Sequence, residues 1–135
     1  RRRASSPRLS AGVAAGEFAI VAPGFFILMI ASFEFARLNV VRHTADSAAY
    51  EAARHAMVPG ATASEAIAKA SGILAVIGAR GARITVDPPT LGTQVERITV
   101  TVEVPLAANG WIAPRFTRDT TIRAASTLRT ERPGR

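Results

Sequence analysis

Between Glu17 and Glu34 the chain runs for sixteen residues, Phe18–Phe33, without a charge: FAIVAPGFFILMIASF. As a helix this run is about 24 Å long, against roughly 30 Å of bilayer hydrocarbon. Extended to Val41 it reaches about 36 Å, with Glu34, Arg37 and Asn39 near one interface, where long polar side chains can snorkel. Phe, Ile, Leu and Met lie on every side of it. A buried helix of a soluble domain would need covering on all faces, and a chain of 135 residues has little material for that. A cleaved secretory signal is the second alternative, but no small-x-small site follows the run. Cleavage after Ala36 would put Glu34 at −3, and cleavage after Phe33 would put Phe at −1. The segment therefore reads as a retained membrane anchor.

Charge supports that reading and fixes an expected orientation. The chain carries 17 basic and 10 acidic residues, net +7, and sixteen of the basic residues are Arg. Four of those Arg fall in residues 1–12, RRRASSPRLSAG, with no acid among them. Beyond the anchor, Glu34, Arg37, Arg42 and Asp46 are mixed. The asymmetry orients the N-terminus toward the cytoplasm and residues 38–135 away from it. Much of the basic excess is thus a topology signal, which weakens a nucleic-acid reading; Trp111 stands alone and the remaining Arg are scattered. Residues 1–12 read as a disordered basic leader and 13–37 as the membrane part of the first helix.

Past the membrane the period of a helix continues. Leu38, Val41, Ala45, Ala48, Ala49, Ala52, Ala53 and Ala56 recur at spacings of three and four, so one face is built of small residues. Arg42, Asp46, Tyr50 and Arg54 share the opposite face. Pro59-Gly60 stops the helix, which is expected over Val13–Met57 with Pro23-Gly24 as a site for a kink. Thr62-Ala63-Ser64-Glu65 is a capping box that opens a second helix. Its stripe is Ile67, Ala70, Ile73, Leu74 and Ile77, and Gly78 or Gly81 ends it.

After Gly81 the period switches to two. Strands are expected over Ala82–Val86, Val95–Val104 and Arg118–Arg129. Ile98, Val100, Val102 and Val104 face inward on the second, and Ile122, Ala124, Ser126 and Leu128 on the third. Three strands with one wet face suit an antiparallel sheet covered by helices, giving an α+β head. Trp111, Ile112 and Phe116, in the linker before the last strand, are expected to cap the open end of the core, with a partner surface as the alternative.

The N-terminal pattern carries a resemblance. Gly12-(x)4-Glu17-Phe18-Ala19 after a basic leader, Pro23 within the anchor, Glu34-Phe35-x-Arg37 and Ala48-Ala49-(x)4-Arg54 resemble the TadE-like family of minor pilins, or pseudopilins, of tight-adherence (Tad/Flp) type IV pilus systems. The likeness covers residues 12–54. It implies cleavage after Gly12 by a prepilin peptidase, leaving Val13 as the new N-terminus and Glu17 as the fifth residue. It further implies a bacterial cytoplasmic membrane or pilus location. The implied partners are membrane lipid, the peptidase and other pilin-like subunits, in homo- or hetero-oligomers formed through the N-terminal helix. Physically, a free α-amine is cationic and a carboxylate at a membrane boundary is costly unless paired, so Glu17 can neutralise a neighbour's amine. Glu17 acting only on the helix dipole is the plainer alternative. Glu34 and Arg37, one turn apart, can pair with each other at the outer interface.

Catalysis has little support. There is no cysteine. His43 with Asp46, and Glu51 with His55, can each meet on a helix surface, but neither pair makes three metal ligands and no nucleophile is nearby. No phosphate-cradling glycine motif is present. The chain reads as a non-enzyme without metal or cofactor, and an uncleaved membrane-tethered interaction domain is the alternative to a pilin.

Overall fold

The computed structural model describes residues 7–92, 95–110 and 119–129. The chain divides into two units, Arg1–Phe35 and Ala36–Arg135. One helix, α1 (Pro7–Ala56), belongs to both. It begins inside the stretch read as a disordered leader, so from Pro7 onward that expectation is corrected. Pro7 heads the helix because a proline at the first helical position loses no hydrogen bond and has φ preset. At the other end α1 stops one residue short of the expected Met57, just ahead of Pro59-Gly60, and Gly60 takes a left-handed φ of +86°. Helical structure continues through Pro23.

The second unit is an α+β head. Helix α2 (Ala63–Val76) starts at the expected capping box. Thr62 N–H donates to Glu65 Oε2 at 2.8 Å, and Glu65 N–H donates to Thr62 Oγ1 at 3.3 Å. These bonds satisfy donors that the first helical turn leaves orphaned. Gly78, with φ +65°, follows the helix, and its N–H bonds to Ala75 O at 3.0 Å. Strands β1 (Arg83–Asp87), β2 (Arg97–Pro105) and β3 (Thr121–Arg129) form an antiparallel sheet in the order β1-β2-β3. Val102 of the central strand stands opposite Ile84 on one side and Ala124 on the other. Each strand starts or ends within three residues of its expected limits.

The two periods meet in one core. Val100, Val102 and Val104 of β2 are completely buried, and Ala45, Ala48, Ala49, Ala52, Ala53 and Ala56 of α1 are buried in the same cluster with Ala66, Ala70 and Leu74 of α2. Of the stripe expected on α2, Ala70 and Leu74 are buried, Ile67, Ile73 and Ile77 pack against the core only partly buried, and Ala66, outside the stripe, is fully buried beside them. No Leu, Ile or Phe among the described residues is fully buried, the largest such side chains being the three valines and Asn109. The head therefore gains less from bulk than from close approach of backbones, which small residues permit. Trp111, Ile112 and Phe116 lie outside the described residues.

Two outcomes test this packing. Ala52, with no exposed surface, has no room for three more carbons, so Ala52→Leu should destabilise the head by about 1–3 kcal/mol in thermal melts. Arg42→Leu, on the exposed face, should change the melting temperature little. The cap supplies the second. The Thr62 backbone N–H, and then its hydroxyl, hold the Glu65 carboxyl below its ordinary pKa of 4.5. Its stabilising contribution is present above that ordinary value and is lost as pH falls through the lowered one. The melting-temperature gap between wild type and Glu65→Gln should accordingly close on acidification. A gap of constant size would show that the carboxylate is not the stabilising form.

Candidate anchor and assembly surface

The N-terminal motif residues all stand on α1. Gly12, Val13, Glu17 and Phe18 are exposed, and a β-carbon added at Gly12 would meet no other atom within 4 Å. Glu17 follows Val13 by four residues, so the two share one helix face. This end of the helix is weakly held. Its first turn contains no acid to favour the helix dipole. Gly12 and Gly16 each cost about 1 kcal/mol of helix propensity relative to Ala. Local unwinding around the Gly12–Val13 bond is therefore cheap.

Beyond Glu17 the helix is apolar on every side. Its most apolar window has a mean hydropathy of 2.1 and is 0% buried within the chain. Ile20 is 82% exposed, Phe18 70% and Ile27 69%. A soluble core helix of this composition would be covered by the rest of its own domain, so that alternative fails here. α1 is long and apolar enough to cross a membrane, and its cover must come from outside the chain. Inside this stretch polar atoms are satisfied locally, as where Ser32 Oγ donates to Leu28 O at 2.8 Å.

Further along, the small-residue face turns inward. Ala45, Ala48, Ala49, Ala52 and Ala56 are at most 4% exposed, while Arg42, Asp46, Tyr50 and Arg54 face solvent. His43 and Asp46 are exposed, and Glu51 and His55 are half-buried. Among the described residues no group of three or more acidic or His side chains could hold a metal ion.

Glu34 is buried, an acid at 8% exposure. Arg37, expected to pair with it, has a contact from elsewhere in the chain: its Nε donates to the backbone carbonyl of Asn109 at 2.7 Å. Asn109 is 2% exposed and saturated with bonds. Its Oδ1 accepts from Arg80 N–H, while its Nδ2 donates to the carbonyls of Arg80 and Pro105, all at 2.8 Å. One amide side chain thus ties the α2–β1 turn to the segment that leaves β2, and its backbone holds α1 at Arg37. Gly81, φ +68°, lets that turn pass close to β2, where an added β-carbon would meet Pro105 Cγ at 3.2 Å.

Residues 12–54 match the family model described as TadE-like protein. Most of the N-terminal helix is thus similar to that family. The match has the same limits as the likeness read from the motifs, Gly12 to Arg54. No curated protein and no solved structure matches the chain. The TadE-like stretch therefore takes in the whole anchor and most of the alanine stripe but none of the sheet.

Asn109 was invisible as a functional or structural centre in sequence. Asn-Gly signals a turn, and nothing in the pattern reveals that the amide is buried. Asn109→Ala would leave Arg80 N–H and two carbonyls without partners. At about 1 kcal/mol or more per lost buried bond, the head should lose about 2–4 kcal/mol of stability in a denaturant titration. An unchanged midpoint would show that the turn is held some other way.

Proposed function

We propose that this chain is a minor pilin-like subunit that takes part in assembling a tight-adherence pilus. Prepilin peptidase cleaves it after Gly12, and it is anchored with its N-terminus inside and its α+β head outside the cytoplasm. The observation that carries the reading is the TadE-like match over residues 12–54, which coincides with a helix apolar on all faces and uncovered by its own chain. In a bundle of such helices the uncovered faces cover one another. Cleavage gives Val13 a cationic amine, and the carboxylate of Glu17 on a neighbouring helix neutralises it, which fixes axial register. The exposure of Glu17 and Val13 supports this role. The weak helix start around Gly12 favours the unwinding that a peptidase requires.

The competing reading, an uncleaved tethered interaction domain, separates on one experiment. Co-expressed with the cognate peptidase, the protein should yield Val13 as its N-terminal residue, and Gly12→Leu should retain its leader. A retained leader in wild type would contradict the pilin reading. Glu17→Gln separates the two roles of the motif. It should be processed normally yet fail to co-purify with partner pilins, because stranding one member of a buried charge pair costs about 3–5 kcal/mol. A dipole effect alone is worth about 0.3–1 kcal/mol and would leave co-purification intact.

A further inference from the structure

Strand β3 ends the sheet with its second edge open. It is nine residues long, holds no Pro or Gly, and keeps register with β2 from Thr121 to Arg129 without a bulge. Folded proteins usually blunt such an edge. The opposite edge is blunted: β1 has five residues and runs into Pro88-Pro89, which offer no N–H. Among the described residues no strand lies beyond β3, and its backbone makes no hydrogen bond other than those to β2. On the inner face Ile122 and Leu128 are only half-buried, while Val104 and Ile98, opposite them on β2, are buried. The core is therefore thin along this edge.

Charge says what the edge takes. The outer face of β3 presents Arg123 and Arg129, and the strand has no acid. Arg123 has Glu103 of β2 at 3.7 Å. Arg129 instead stands directly opposite Arg97; both are exposed, and neither has an ion-pair partner among the described residues. Like charges so placed repel, and a carboxylate beside Arg129 would offset the repulsion. A second copy of β3 is a poor source of one. Antiparallel pairing of two β3 strands about Ala124, Ala125 or Ser126, with inner and outer faces kept, sets Arg123 directly or diagonally opposite an arginine of the copy.

We propose that the free edge of β3 docks an extended acidic segment of another protein by strand addition. Carboxylates of that segment stand beside Arg129 and Arg123, and its alternate apolar residues continue the inner face past Ile122 and Leu128. Main-chain hydrogen bonds supply the attachment and the arginines choose the partner. The inference concerns the head alone and does not depend on the pilin reading.

The test uses the full chain in a non-ionic detergent and two labelled peptides, EVTVTVE and KVTVTVK, whose end charges match the spacing of Arg123 and Arg129. Binding is read by fluorescence anisotropy. The acidic peptide should bind about tenfold more tightly, since two attractive contacts replace two repulsive ones. It should also slow hydrogen exchange across Thr121–Arg129. Arg129→Gln should weaken the acidic peptide several-fold without lowering the melting temperature, because it also relieves Arg97. Arg123→Gln should weaken it less, since Glu103 already engages that side chain. Strand addition is read separately from charge. Of two EVTVTVE peptides N-methylated at alternate residues, one for each edge of the strand, one should bind and the other should not. Equal binding of the acidic and basic peptides would overturn the proposal. So would binding that survives methylation of either edge, which would reduce the contact to charge alone. Exchange across β3 that is already slow without peptide, and slows further as protein concentration rises, would assign the edge to a second copy and overturn it as well.

Discussion

An apolar surface on every side of a helix has to be covered, and the first half of α1 is not covered by its own chain. Ten large side chains between Phe18 and Phe33 stand exposed there. Full burial of such a side chain is worth about 1.5–3 kcal/mol, so even partial exposure leaves on the order of 10–20 kcal/mol unclaimed. A whole domain is stable by only about 5–15 kcal/mol. A lipid bilayer is a cover that a helix of this length and composition fits.

The head answers the opposite problem. It must hold the second half of α1 firmly with a core that contains few large residues. Alanines at 45, 48, 49, 52, 53 and 56 bring the helix backbone close, and the fully buried valines of β2 lie in the same cluster. Close packing of this kind tolerates little added volume. At Arg37 the fastening is polar instead. There the buried amide of Asn109 gathers the backbone of Arg80 and Pro105, and Arg37 completes the knot. The result is a helix whose rotation in the head is fixed on one face by small residues and at one end by hydrogen bonds.

Most of this arrangement was legible in the sequence because it depends on period and on local chemistry. The 3.6-residue recurrence of alanine, the Thr62–Glu65 box and the alternation Ile98, Val100, Val102, Val104 each specify their element through contacts within a few residues. The misreadings have equally physical causes. The leader looked disordered from its Arg, Pro and Ser content, yet a proline at the first position starts the helix at Pro7. On α2 the bulkier isoleucines suggested the buried stripe, whereas close packing prefers Ala66 inside. Asn109 and its link to Arg37 escaped notice because the partners are 72 residues apart, and no local pattern encodes such a bond. The motif at Gly12, Val13, Glu17 and Phe18 was legible only through its likeness to a family, since these exposed residues leave no mark on the chain's own packing.

The central claim is that α1 changes its cover along its length, from outside the chain to inside the head. The chain has no cysteine, so single-cysteine spin labels can be placed along α1 without removing any native thiol. Accessibility of each label to a water-soluble relaxation agent, measured in reconstituted membranes, reads the cover directly. Labels at 18–33 should be shielded on every face, and labels at 40–56 should alternate between shielded and accessible with a period of 3.6 residues. A helical alternation of water accessibility through 18–33 as well would mean that one face of this half meets solvent, and the account would be wrong.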